Sequence, residues 1–62
     1  MTFGERVKEV RLSLNMSQEM LARELDVSFA TVNRWEKAHA EPGFKAKQKF
    51  EEFCKKNKVK AE

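Results

Sequence analysis

The stretch from Gln18 to Trp35, QEMLARELDVSFATVNRW, constrains this chain more than any other. Its apolar residues keep two short helical registers that meet at a sharp turn. Leu21, Ala22 and Leu25 stand at i, i+1 and i+4, one face of a helix from about Gln18 to Leu25. A second helix starts after Ser28 and ends near Lys37, with Val32 and Trp35 turned inward and Val27 filling the corner. Ala22 is small where the two helices must cross closely. Helices joined by so short a turn meet at about 90–120°. The spacing therefore predicts a bent pair whose second member stands out from the body.

The outer side of that second helix carries unusual chemistry. Phe29, Ala30, Asn33, Arg34 and Lys37 fall at i, i+1, i+4, i+5 and i+8, a single stripe roughly opposite Val32 and Trp35. An aromatic ring, a small apolar group, an amide, a guanidinium and an ammonium are groups that meet thymine methyls, adenine edges, guanine edges and phosphates. The competing reading is an ordinary amphipathic helix with one stray surface Phe.

Sixty-two residues make one small domain, which buries only about 60% of the surface its unfolded chain exposes. Caps and ion pairs therefore count. The single cysteine, Cys54, rules out an intrachain disulfide and a cysteine-based metal site. No apolar run approaches the ~20 residues of a membrane span, and nothing reads as a signal peptide. A cytoplasmic setting is expected. The net charge is +3, but its distribution says more than its size. Residues 1–44 hold six basic against seven acidic groups, whereas residues 45–62 hold seven lysines against three glutamates.

Before the central stretch, Phe3, Val7, Val10 and Leu14 recur at helical spacing over residues 3–14. Thr2 is an N-cap candidate, with Glu5 completing a capping box. Arg6, Lys8 and Glu9 are expected on the wet side. Arg11 lies next to Val10 at the buried edge, where a lone charge needs a partner. Glu36, beside Trp35, is that partner, so an ion pair should lock the first helix to the third. Ser17 caps the next helix, and Gln18 stands at its first position with an exposed amide, where a helix end attracts phosphate. Asp26 in the turn calls for a positive φ. Ser28 caps the following helix, and Thr31 on its flank can reach a sugar or phosphate. Ala38–Gly43 is a loop containing His39, which has no companion ligands for a metal or a catalytic role. A loop histidine near phosphate is the better reading. Residues 44–57 form a last helix with Phe44, Ala46, Phe50, Phe53 and Cys54 on its apolar face. The domain is expected to span 1–57, and residues 58–62 to fray.

Taken together, these positions resemble the phage-repressor and Cro-like helix-turn-helix domains of the Xre family. The resemblance rests on Arg11, Ser17–Gln18, Leu21–Ala22, Leu25, Val27–Ser28, Thr31–Val32, Trp35–Glu36 and Pro42, across roughly residues 3–43. It implies an all-α fold, a compact four- to five-helix bundle with the motif at residues 18–37. It also implies binding to double-stranded DNA, with the second motif helix in the major groove. Relatives commonly act as homodimers on inverted half-sites. By position, Phe29, Ala30, Asn33 and Arg34 would face bases and Gln18 a phosphate; Ser28, Thr31, Lys37 and His39 are the further phosphate candidates of the chain itself. Arg11 and Glu36 would be the family's internal ion pair. Asp26 and Ala38 depart from the family, which usually has glycine at both places, and no sequence for a clear fifth helix follows.

Three functions compete. The first is a sequence-specific DNA-binding transcriptional regulator. The second is a protein-interaction module of the same fold, an antitoxin or bridging factor. The segment FATVNRWE also resembles the DNA-binding start of larger DNA-modifying proteins. An enzyme is not expected from this stretch: it offers no nucleophile with a base, no carboxylate pair and no phosphate-cradling glycine loop. No cofactor, small-molecule ligand or membrane partner is called for.

Overall fold

Thr2 opens the first helix with a reciprocal cap. Its Oγ1 accepts from the Glu5 N–H at 3.1 Å, and Glu5 Oε1 accepts from the Thr2 N–H at 2.8 Å. The computed structural model describes residues 2–38 and 41–59. Among these, four helices follow one another: α1 (Phe3–Ser13), α2 (Gln18–Leu25), α3 (Phe29–Ala38) and α4 (Phe44–Lys56), with no strand. The fold is all-α, as expected.

Helices α1, α2 and α4 all stop in the same way. A non-glycine residue turns left-handed after the last turn: Asn15 at φ 56°, Asp26 at φ 57° and Lys58 at φ 55°. The next residue's N–H then reaches back five positions, Met16 to the Arg11 carbonyl, Val27 to that of Ala22, and Val59 to that of Cys54, each at 2.9 Å. This is the Schellman closure, in which the residue after the left-handed one usually makes an apolar contact. Met16, Val27 and Val59 indeed pack on the core. The expected fraying is therefore corrected at its start. Lys58 and Val59 belong to a closed helix cap, while residues 60–62 lie outside the described residues. Lysine has no local hydrogen bond to ease a left-handed backbone, unlike Asn or Asp. Lys58→Gly should therefore stabilise the chain by about 1 kcal/mol in a urea melt. An unchanged midpoint would refute that reading of the cap.

The core takes Phe3, Val7 and Val10 from α1, Leu21, Ala22 and Leu25 from α2, Val32 and Trp35 from α3, and Phe50, Phe53 and Cys54 from α4. Phe3 joins two of its rings, edge-on to Trp35 at 5.1 Å and to Phe50 at 5.2 Å between ring centroids. Helix α1 crosses α3 at Gly4. A Cβ there would overlap the Trp35 carbonyl oxygen and lie 2.7 Å from its carbon. Only glycine lets the two backbones approach that closely.

Two expected placements are corrected. Phe44 is 80% exposed, not part of the apolar face of α4. Six residues of α-helix turn the chain through about 600°, which puts Phe44 some 120° from Phe50. Arg6 is not on the wet side. Its guanidinium lies over the Phe50 ring at 5.6 Å from the centroid, and Nη2 donates to Glu51 at 3.0 Å. Its long apolar stem covers core surface while the charge finds a carboxylate.

Candidate nucleic-acid interface

Helix α3 owes its position to the residues beneath it. Ser28 caps it, with Oγ accepting from the Thr31 N–H at 3.1 Å. Val32 is fully buried and Trp35 is 3% exposed, so the helix is anchored along one side. The opposite side meets solvent. Phe29 is 52% exposed, Ala30, Arg34 and Lys37 are exposed, and Asn33 is half-buried. The structure therefore brings these five side chains onto one open surface.

A polar knot fixes α3 against α1 and α2. Arg11 Nε donates to Glu36 Oε2, and Nη2 to Glu36 Oε1, both at 3.0 Å. The third guanidinium nitrogen, Nη1, donates to the Met16 carbonyl at 3.0 Å. The pair is nearly dry, with side chains 12% and 5% exposed. Gln18 Nε2 completes the knot by donating to Glu36 Oε1 at 3.0 Å. The expected free amide at Gln18 is thus corrected: the side chain is half-buried and holds α2 to α3. What remains for an anion is the start of α2 itself, whose first N–H groups have no partner within the helix.

Beside this knot runs an open groove lined by Arg11, Ser17, Gln18, Glu19 and Phe29. Ser17 Oγ accepts from the Met20 N–H at 3.0 Å, so that hydroxyl is engaged as a cap. The hydroxyls of Ser28 and Thr31 bond each other at 2.9 Å, which leaves the pair one proton to offer outward. His39 lies outside the described residues.

Elsewhere, the Cys54 thiol is buried and free. Burial, helped by the Glu51 carboxylate and opposed by Arg6, pushes its pKa above the ordinary thiol value. Among the described residues no group of His, Cys, Asp and Glu could hold a metal ion. No helix is long and apolar enough to cross a membrane.

Sequence reasoning missed three contributors: Gly4, Arg6 and the Gln18 amide. A glycine two residues into a helix, where it costs stability for no local reason, was the one signal that could have exposed the first.

An open recognition-type stripe on a helix braced by a second, shorter one is the arrangement of a helix-turn-helix. The model of the helix-turn-helix family matches residues 7–58. The chain belongs to that family, the Xre and lambda-repressor-like helix-turn-helix domains, which are DNA-binding. Neither the curated proteins nor the solved structures give a match.

Proposed function

We propose that the chain binds double-stranded DNA in a sequence-specific way, with α3 in the major groove, and acts as a cytoplasmic regulator of transcription. The observation that carries this reading is the solvent-facing stripe of Phe29, Ala30, Asn33, Arg34 and Lys37 over buried Val32 and Trp35. Arg34 is the main base reader, with a fork suited to guanine O6 and N7. Asn33 suits adenine, and Phe29 and Ala30 suit thymine methyls. Lys37, the outward hydroxyl of the Ser28–Thr31 pair and the start of α2 at Gln18 face phosphates, with His39 assigned to the same backbone from its place in the sequence. Phosphates set register and bases set sequence.

Selection of bound duplexes from a random pool tests this directly. A recurring site supports the reading, and half-site centres about 10 bp apart would make the active form a homodimer. Arg34→Ala should cost about 1–3 kcal/mol on the selected duplex and relax preference at one base pair. Equal weakening on every sequence would remove Arg34 from the base-reading role.

One observation favours a second reading, a module that docks a protein. Phe44 is 80% exposed on a lysine-rich helix. Salt separates the two. Duplex binding through several phosphate contacts falls steeply between 50 and about 200 mM salt, whereas an apolar protein contact does not.

A further inference from the structure

We propose that Glu19 limits the affinity of this chain for duplex DNA, holding down binding to all sequences alike. The inference rests on the DNA-binding reading above and adds to it a residue that opposes binding. Glu19 is the second residue of α2, is exposed, and lines the open groove with Phe29, Gln18 and Arg11. Phe29 belongs to the base-facing stripe, so this groove borders any duplex that α3 enters, on the side where a phosphate strand passes. A carboxylate there meets like charge.

The cation that lines the groove with it, Arg11, is already engaged. All three Arg11 nitrogens donate, to Glu36 and to the Met16 carbonyl. The Gln18 amide is taken by Glu36 as well. Glu19 itself forms no ion pair or side-chain hydrogen bond among the described residues. Arg23, one turn on in α2, makes no ion pair with it, so the charge directly at Glu19 is the partial positive one at the start of α2, the same feature that favours a phosphate. Anion and side chain compete for one helix end. Because a phosphate is present whatever the base, the penalty carries no sequence information.

The test compares the wild-type chain with Glu19→Gln, Glu19→Lys and Glu24→Gln on two fluorescent duplexes, the selected site and an unrelated one. Glu24 lies on the same helix but lines a separate groove with Asp26 and Lys49. Removing one exposed like charge beside a phosphate strand should tighten binding about threefold to tenfold at 50 mM salt, equally on both duplexes. Glu19→Lys should tighten further and steepen the salt dependence by about one unit of log–log slope. Glu24→Gln should bind as wild type. Thermal melts confirm that each variant is folded. The proposal is overturned if Glu19→Gln stays within twofold of wild type, if it loosens the selected duplex alone, or if Glu24→Gln tightens binding as much. Wild-type protein that binds neither duplex refutes the DNA-binding reading itself, and this proposal with it. Wild-type binding with an unaffected Glu19→Gln refutes this proposal only.

Discussion

Gly4→Ala is expected to lose at least about 3 kcal/mol of stability, leaving much of the chain unfolded at 25 °C. The added methyl would meet backbone, not a movable side-chain tip: the Trp35 carbonyl, with the Glu36 Cα at 3.1 Å on its far side. Backbone in the last turn of α3, pinned by the buried Trp35 side chain and the Arg11–Glu36 pair, cannot yield locally. Helices α1 and α3 must separate, and that opens the Phe3–Trp35 contact and stretches the Arg11–Glu36 pair together. Alanine's better helix propensity returns only about 1 kcal/mol. A domain of this size holds roughly 3–9 kcal/mol in all. A urea melt measures the loss, and Cys54 offers an independent readout. Its buried thiol keeps its proton in the folded chain, so reaction with a thiol reagent should track unfolding. The same raised value means that stability starts to fall as pH climbs past the ordinary thiol value of 9.0, where only the unfolded chain ionises freely. A Gly4→Ala chain that melts within 1 kcal/mol of wild type, with Cys54 still protected, would show that the helix crossing is looser than described.

Glu36→Ala should cost about 3–5 kcal/mol, the loss seen when one partner of a buried pair is removed. Arg11 would be left with a largely buried charge and a single bond to the Met16 carbonyl, and Gln18 would lose its acceptor. The surface pair makes the contrast. Lys49–Asp26 spans 3.4 Å with side chains 47% and 92% exposed, and breaking it should change stability by well under about 1 kcal/mol. Arg11→Met combined with Glu36→Leu should recover most of the lost stability, since apolar residues can fill such a site without desolvating charge. Duplex affinity should not return with it, because Gln18 would no longer tie the start of α2 to α3. Recovery of both would reduce the knot to a packing element. A Glu36→Ala midpoint close to wild type would mean the pair contributes no more than a surface contact.

What could be read from the chain alone follows from the range of each physical rule. Ser17, Ser28 and Thr2 act on N–H groups three residues away, so their caps are local facts. Asp26 adopts its positive φ because a turn of that length demands one. The inward residues of α2 and α3 follow from period alone. Gly4, Arg6 and Gln18 are different. Their roles depend on which helix lies across them and at what angle, and no spacing rule contains that. Phe44 shows a subtler limit. Its apolar side chain suggests the core, although its angular position about 120° from Phe50 excludes it.

Trp35 and Val32 face α1 and α2, while the outer side of α3 touches little else of the molecule. On the proposed reading, recognition and architecture use different sides of one helix. Phe29, Ala30, Asn33 and Arg34 can be exchanged for other residues without disturbing what lies underneath. New target preferences should then arise by substitution at those four places, with melting behaviour nearly constant. A scaffold of this kind lets its specificity diverge faster than its shape.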